Sequence, residues 1–380
     1  MKTIARVSAA LLVLLSLNCN PRIVVWQKTL DFGGDEEATA FASDGSEFYV
    51  SFTATRQGAP DRAGWVVSKL DTAGNVLWTQ MYKDAPYAIC QDICTDAQGN
   101  LFAAGFVKSK TEQACLVMRY AASGAITWQK GLAVGDQTWA TGVCPVSGER
   151  IAVCGTAGTR TNTDLMVAVL DAKDGRSVWV KNVDLCSTDV ATRVAADAKD
   201  NLAVIGRYTK TGANPDVVIV KLKPNGDTLW TRRYDSGGND EPGDIAFDRF
   251  GNIVATATAR IGDSTRFIII EYDPNGDLVR KLAYGTVAQA KAGGVFITGD
   301  DKVFMTGSLL LPGGKSEVLA FQYVPNAVAV WEQHYTPGPS ADGVDINVKG
   351  DVYVAATLQG KTKDVMVCRF ARPLPNAGGK

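Results

Sequence analysis

The amino-acid sequence predicts an all-β fold made of seven similar four-stranded units arranged in a ring. Three observations lead to this prediction: a tryptophan that recurs at a nearly constant interval, four short β-type runs within each interval, and turn dipeptides between the runs. The chain has 380 residues, of which 46% are hydrophobic and 21% are charged. This composition is typical of a globular protein with a sizeable core and excludes a disordered or fibrous chain.

Six of the eight tryptophans define the repeat. Their separations are 52, 50, 51, 51 and 101 residues, and the last interval spans two units, with Arg280 at the intermediate position. Because regular spacing of so rare a residue indicates an internal repeat, we expect seven units of about 51 residues. We also expect these indoles to pack between neighbouring outer strands. The six residues are Trp26, Trp78, Trp128, Trp179, Trp230 and Trp331.

Each unit repeats one order of runs and turns, which the second unit shows clearly. Its β-type runs are residues 78–82, 88–96, 101–105 and 115–120, and Gly99-Asn100 separates the second run from the third. Gly and Asn tolerate the positive φ that tight hairpins require. No amphipathic helix follows the N-terminal segment. The sequence therefore predicts a seven-bladed β-propeller of four-stranded antiparallel blades.

The order of the strands predicts how the ring closes. If the strands of a blade are labelled A to D outward from the channel, the first D strand, residues 23–30, precedes every A strand, and the last unit ends after its C strand near residues 365–370. We therefore expect the N-terminal strand to complete the last blade, which leaves no open sheet edge. The predicted propeller spans residues 23–371, with a tail at 372–380. The inner strands are expected near Thr39, Ala88, Ala140, Val190, Asp244, Gly293 and Gly343.

The N-terminal segment has the features of an export signal. Residues 1–18 combine Lys2 and Arg6 with an apolar run that is too short to span a bilayer. The run ends in Leu-Asn-Cys19, which resembles a bacterial lipobox, although Asn18 stands where a small residue is usual. The resemblance implies a lipid on Cys19, a short tether at 19–22, and attachment to the outer membrane or cell surface. A secreted or periplasmic protein with an inert Cys19 is the alternative.

Cysteine, histidine and charge restrict the chemistry. Seven further cysteines cannot all pair internally and lie in apolar runs without a CxxC motif, so buried thiols are favoured over a disulfide framework. His334 is the only histidine, which excludes sites that need two. Lys and Arg number 39 against 40 Asp and Glu, which argues against nucleic-acid binding. We predict no cofactor and no metal, since Asp-rich turns such as 197–201 and 273–277 lack a full calcium-loop pattern and suit turn capping.

The sequences of the turns resemble those of two known groups of propeller proteins. Asp96 with Gly99-Asn100, Asp248 with Gly251-Asn252, and Asp273 with Gly276 resemble the bacterial secreted seven-bladed propeller repeat of SBBP type, which implies the fold but names no ligand. Residues 171–179 resemble the signature of propellers that hold pyrroloquinoline quinone and of outer-membrane-assembly lipoproteins. The vicinal cysteines and calcium carboxylates of the quinone enzymes are not recognisable here. A cofactor-free assembly scaffold therefore stays an alternative.

Charged loops mark a candidate binding face. In the predicted order of strands, the D–A and B–C connections share one face of the disc; the B–C connections carry basic residues and the D–A connections are mostly acidic. We expect an acidic centre within a basic rim that recognises protein or glycan, unless these charges serve only solubility. The candidate residues are Arg56, Lys108, Lys110, Arg160, Lys210, Arg260, Tyr87, Trp139 and Asp240.

The sequence favours a monomeric binding or scaffold protein of the cell envelope over an enzyme. No nucleophile motif accompanies His334. The competing hypothesis is a polysaccharide lyase or hydrolase that uses the channel face, with Asp240 and Asp244 as acid and base.

Overall fold

The computed structural model describes residues 24–56, 59–109, 113–159, 161–284, 289–324 and 327–372. Across these ranges the regular secondary structure is entirely β, and no helix there is long and apolar enough to cross a bilayer. The strands, in chain order, are β1 (Val24–Leu30), β2 (Gly34–Ser43), β3 (Phe48–Arg56), β4 (Ala59–Leu70), β5 (Val76–Met81), β6 (Tyr87–Thr95), β7 (Leu101–Lys108), β8 (Gln113–Tyr120), β9 (Ile126–Leu132), β10 (Gln137–Val146), β11 (Arg150–Gly158), β12 (Thr163–Asp171), β13 (Ser177–Val183), β14 (Thr188–Ala196), β15 (Leu202–Thr209), β16 (Asp216–Leu222), β17 (Thr228–Tyr234), β18 (Asp240–Phe247), β19 (Ile253–Ile261), β20 (Ser264–Tyr272), β21 (Leu278–Tyr284), β22 (Gln289–Ile297), β23 (Val303–Leu310), β24 (Ser316–Val324), β25 (Ala327–Tyr335), β26 (Ser340–Lys349), β27 (Asp351–Gln359) and β28 (Lys363–Phe370).

These strands form seven four-stranded antiparallel blades. Blades 1 to 6 take consecutive strands, from β2–β5 through β22–β25. Blade 7 has the order β26, β27, β28, β1, with Trp26 opposite Arg369 and Leu30 opposite Val365. The predicted fold class is therefore confirmed, including the N-terminal strand that completes the last blade. Two pairs of neighbouring blades also share a short parallel bridge between a C strand and the next A strand.

The core lies between the blades. The described residues form seven clusters of buried apolar side chains, one at each junction of neighbouring blades. At the junction of blades 7 and 1, Phe41 and Phe48 pack against Tyr353 and Val365. Both faces of a central strand are thus buried, as in β16, where every residue is buried. This double burial explains the excess of β-branched residues in these strands.

The repeat tryptophans of five D strands contact the next blade in one way. Each indole Nε1 donates to a carbonyl in the turn between the C and D strands of the following blade, at 3.0 to 3.1 Å. The glycine of that turn lies against the ring; Gly276 has φ +85°, and a Cβ there would stand 2.8 Å from Trp230. Arg280 replaces tryptophan in blade 5, and its guanidinium donates to the Tyr323 hydroxyl of blade 6 at 2.7 Å. The five indole donors, each with its acceptor, are Trp26 to Thr72, Trp78 to Ala122, Trp128 to Ala172, Trp179 to Pro224 and Trp230 to Pro274.

Aspartates cap the tight turns, as the sequence predicted. Asp197 Oδ1 accepts hydrogen bonds from the backbone N–H groups of Lys199 and Asn201, both at 2.9 Å. Asp273 Oδ1 accepts two such bonds at 2.8 Å. These carboxylates therefore satisfy backbone donors within the turn.

Candidate functional site

Each A strand contains a β-bulge beside the channel, and one residue within or directly after the bulge faces the neighbouring blades. Because the repeat is regular, these residues all lie fourteen positions after the repeat tryptophan or its replacement. Four of them are charged, in a position where the other blades have Ala or Gly. In blade order they are Ala40, Asp92, Gly142, Arg193, Asp244, Gly294 and Asp345.

Arg193 joins blades on opposite sides of the ring. Its Nη1 donates to the Thr141 carbonyl of blade 3 at 3.0 Å, and its Nη2 donates to the Thr39 carbonyl of blade 1 at 3.2 Å. Its Nε lies 3.9 Å from Asp92 Oδ1. Arg193 and Asp244 also line a cavity of about 190 Å³ among the A strands of blades 4 to 7. This guanidinium interacts with three channel carboxylates, those of Asp92, Asp244 and Asp345.

The three channel aspartates bind the next blade. Asp92, Asp244 and Asp345 each accept a hydrogen bond from the following residue's N–H group and a second one from the A strand of the next blade, at 2.8 to 2.9 Å. Burial raises the pKa of Asp92 to about 6. Burial together with the nearby Asp244 charge raises the pKa of Asp345 above its ordinary value. The group is a structural hub that sequence reasoning missed. Aligning the units on the tryptophan would have revealed it, because charge is rare at a buried position of a repeat.

The two carboxylates of the competing enzyme hypothesis are engaged by the fold itself. Asp240 is fully buried, and its oxygens accept hydrogen bonds from the Ser236 hydroxyl and N–H at 2.6 and 2.8 Å. The Asp244 oxygens accept backbone hydrogen bonds from Ile245 and Val295. This arrangement favours structural roles over a channel-face acid–base pair. Asp240 is consequently not part of the exposed surface on which the sequence placed it.

A cleft of about 720 Å³ opens on the face that carries the D–A and B–C connections, above blade 1 and beside blade 2. Phe32, in the connection before β2, is 45% exposed on one wall. Arg62, near the start of β4, and Lys83, between β5 and β6, contribute exposed cationic side chains. Half-buried Tyr82 completes a lining that is aromatic and basic. Exposed Asp84 adds a carboxylate to the cleft, and the buried Glu36 side chain lies in its wall.

Two predicted residues lie directly beside this cleft. Tyr87 begins β6, immediately after Pro86 of the cleft wall, and stacks on Phe106 with ring centroids 6.4 Å apart. Lys108 ends β7, and its Nζ lies 5.9 Å from the Tyr87 ring centroid. The aromatic and basic surface therefore continues from blade 1 onto blade 2.

The other predicted residues are spread around the disc. Lys210 is exposed on blade 4, and its Nζ lies 6.0 Å from the Tyr208 ring. Arg260 is exposed at the end of β19 and lines a smaller cavity of about 390 Å³ between blades 4 and 5. Trp139 is half-buried in β10. Arg56 ends β3, and Lys110, Arg160 and Cys19 lie outside the described residues. The structure thus does not bring these residues into one pocket.

Carboxylates also gather at three blade junctions on the same face. In each group, one oxygen of every carboxylate lies within 4.8 Å of the others. The members come from the C strand of one blade, the following D–A connection and the start of the next A strand. The groups are Asp31, Glu36 and Asp364; Asp164, Asp184 and Asp189; and Asp216, Asp235 and Asp240.

Comparisons with known proteins support the fold. No protein-family model and no curated protein matches the sequence. Among solved structures, the chain resembles a polysaccharide lyase, PL25-Ulvanlyase, with a TM-score of 0.60 and 10% identity over 89% of this chain and 95% of that chain. It resembles Chaetomium thermophilum Sqt1 with a TM-score of 0.54 and 14% identity over 92% and 98%. It also resembles the Neurospora crassa Pan2 WD40 domain, with a TM-score of 0.53 and 11% identity over 90% of each chain. At such identities the likeness shows the β-propeller architecture alone.

Proposed function

We propose that the protein is a binding or scaffold propeller of the cell envelope that recognises an acidic glycan on the face carrying the D–A and B–C connections. The cleft above blade 1 carries the proposal. There the exposed side chains of Arg62 and Lys83 lie with the aromatic rings of Phe32 and Tyr82 around a volume of about 720 Å³. Aromatic rings cover the apolar faces of sugars, and guanidinium and ammonium groups pair with their carboxylates or sulfates.

A structural neighbour supports this ligand class. One structure of the ulvan lyase that the chain resembles is bound to -[GlcA(1-4)Rha3S]-, again with a TM-score of 0.60 and 10% identity. A propeller of this general architecture therefore accommodates an acidic glycan. A protein ligand at the envelope is the second class, since rigid discs with variable loops also suit protein recognition.

Binding without bond cleavage fits the described groups better than catalysis. Burial and the Asp84 charge raise the pKa of Tyr82, so this phenol stays protonated at neutral pH and is a poor general base. The channel aspartates are held by backbone hydrogen bonds and Arg193. A lyase would reveal itself by the ultraviolet absorbance of an unsaturated uronic acid during incubation with the glycan.

We further propose that the chain is a lipoprotein of SBBP type, with residues 1–18 removed and Cys19 acylated. Two or more acyl chains give stable attachment to a membrane. Because β1 begins at Val24, five positions after Cys19, the disc would stay close to the membrane surface. Radioactive palmitate should label the native chain and not a Cys19→Ser variant, and equal labelling of both would refute the anchor.

The ligand proposal is tested by binding of the full chain, purified in detergent, to immobilised uronic-acid and sulfated polysaccharides, with neutral glycans as blanks. We expect the double variant Arg62→Glu with Lys83→Glu to bind at least tenfold more weakly at low salt, which corresponds to about 1.4 kcal/mol. The charge-matched control is the double variant Lys210→Glu with Arg260→Glu, which reverses one exposed lysine and one exposed arginine of the same face on blades 4 and 5 and should bind within twofold of the native chain. Undiminished binding by the cleft double variant, or an equal loss in the control, would refute a localised cleft site.

A further inference from the structure

Three carboxylates meet where the ring closes. Asp31 follows β1, the N-terminal strand that completes blade 7. Glu36 lies on β2 of blade 1, and Asp364 lies on β28 of blade 7. One oxygen of each carboxylate lies within 4.8 Å of the other two. The group therefore draws its members from both ends of the chain.

Among the described residues, these carboxylates have no ion-pair partner. Glu36 is 0% exposed; its Oε1 accepts a hydrogen bond from the Gly34 N–H at 3.1 Å, while its Oε2 has no hydrogen-bond partner among the described residues. Asp364 Oδ1 is shielded from solvent and equally unpartnered within that part of the chain. No ion pair there joins any of the three to Lys or Arg. An unpartnered buried carboxylate oxygen is costly, so such a group calls for a cation or a proton.

The other two carboxylate groups differ in their A-strand carboxylate, although Asp164 Oδ1 is, like Asp364 Oδ1, shielded from solvent and unpartnered among the described residues. Asp189 accepts hydrogen bonds on Oδ2 from Leu185 and Cys186 N–H groups, and on Oδ1 from the Cys186 thiol. Asp240 is bonded on both oxygens by Ser236. Asp216, beside Asp240, forms an ion pair with Arg233. At these two junctions both oxygens of the buried A-strand carboxylate are hydrogen-bonded. At the junction of blades 7 and 1 the backbone groups of Gly34 and Phe32 bond Glu36, but its Oε2 stays without a partner among the described residues.

We infer that Asp31, Glu36 and Asp364 bind a calcium ion at the junction of blades 7 and 1. Two oxygens that each lie about 2.4 Å from one ion are at most about 4.8 Å apart, so the observed spacing permits a shared ion. An all-oxygen donor set selects hard cations, and Ca²⁺ accepts six to eight ligands in irregular geometry where Mg²⁺ demands an octahedron. Because Asp31 is exposed, the ion can reach the site from solvent, and water molecules would supply the remaining ligands. The ion would hold the N-terminal strand to the first and last blades, whatever ligand the cleft takes.

Thermal unfolding of the purified full chain tests the site. After removal of divalent ions with EDTA, we expect Ca²⁺ at a hundredfold excess over its dissociation constant to raise the melting temperature by roughly 3–6 °C, with a smaller rise in Mg²⁺. Isothermal titration should show one Ca²⁺ per chain. Glu36→Gln and Asp31→Asn should both abolish the rise, and Glu36→Gln should melt no lower than the native chain in EDTA because it removes a buried charge.

The repeat supplies a matched control. Asp235 occupies the position of Asp31 at the junction of blades 4 and 5, five residues after the repeat tryptophan, and both are exposed. Asp235→Asn should keep the full response to Ca²⁺. If Glu36→Gln fails to fold, Asp31→Asn still tests the calcium site, because Asp31 is exposed and its substitution does not disturb the core. The assignment would be overturned if the native chain melted at the same temperature in EDTA and in Ca²⁺, or if Mg²⁺ raised the melting temperature as much as Ca²⁺. It would also be overturned if Asp31→Asn kept the response to Ca²⁺ or if Asp235→Asn lost it.

Discussion

The contact between Trp230 and Gly276 gives the sharpest test of how neighbouring blades are held together. Trp230 is 9% exposed, its ring centroid lies 5.8 Å from that of Tyr272, and its Nε1 donates to the Pro274 carbonyl at 3.1 Å. Trp230→Ala removes this packing and leaves a cavity, so the free energy of unfolding should fall by about 3–5 kcal/mol. Gly276 has φ +85°, and its Cβ would stand 2.8 Å from the indole.

Gly276→Ala should therefore lower the free energy of unfolding for two separable reasons. The left-handed backbone costs an alanine about 1–2 kcal/mol, and displacing the indole adds about 1–3 kcal/mol of overpacking. Gly45 isolates the first cost, since it has φ +86° and nothing within 4 Å of a Cβ. In the Trp230→Ala background the overpacking disappears, so the two substitutions should be non-additive by about 1–3 kcal/mol.

Urea unfolding followed by far-ultraviolet circular dichroism measures these differences, with equal m-values required for the comparison. The native chain, both single variants and the double variant complete the cycle, and Gly45→Ala is the control. Additive losses, or a Gly276→Ala loss no larger than that of Gly45→Ala, would show that the turn glycine is not required by the indole. The interblade role of the repeat tryptophan would then have to be abandoned.

The remaining predictions concern the charged and thiol groups. The charged His334 ring donates hydrogen bonds to the Glu332 and Glu317 carboxylates, which raises the pKa of His334 to about 9. The stability contributed by the charged ring is therefore present below pH 6.5 and lost as pH rises through 9; a pH series of melting temperatures should show this fall, and the fall should be absent in His334→Gln. Arg193→Met leaves the channel aspartates uncompensated and should lower the free energy of unfolding by about 3–5 kcal/mol in urea, whereas unchanged stability would contradict the hub. Of the seven described cysteines, six are buried and Cys186 is half-buried; a thiol reagent should modify Cys186 first in the native chain and all of the cysteines only after unfolding.

The repeat explains why the fold could be predicted while most of the site could not. Tryptophan spacing and turn dipeptides are local signals, and each reports a contact made identically in several blades, as at Trp78 and Trp179. The channel hub depends on differences between blades. Asp92 and Arg193 are two units apart in the sequence, and only ring geometry brings the guanidinium to 3.9 Å from the carboxylate.

The cleft was only partly predictable for the same reason. The basic character of the loops was visible in the sequence, and Lys108 and Tyr87 do lie beside the cleft. Phe32 and Lys83 precede different blades, and nothing in the linear pattern indicates that they share a cavity. Some strands are also longer than their hydrophobic runs predict. In β4, for example, Arg62 was predicted in a loop but lies near the end of the sheet.

Two departures from the repeat lie where the two ends of the chain meet. In blade 7 the C and D strands, β28 and β1, come from opposite ends of the chain and are not joined by a turn. Trp331 therefore has no C–D turn carbonyl like those bonded by the five repeat indoles described above. It packs edge-on against Phe304 and Phe370 instead, with centroids 6.3 and 6.2 Å apart. On the other side of blade 7 lies the carboxylate group with unpartnered buried oxygens. Because β1 is held to the ring without a covalent turn, extra aromatic packing and a bound cation would stabilise this blade where the repeat itself cannot.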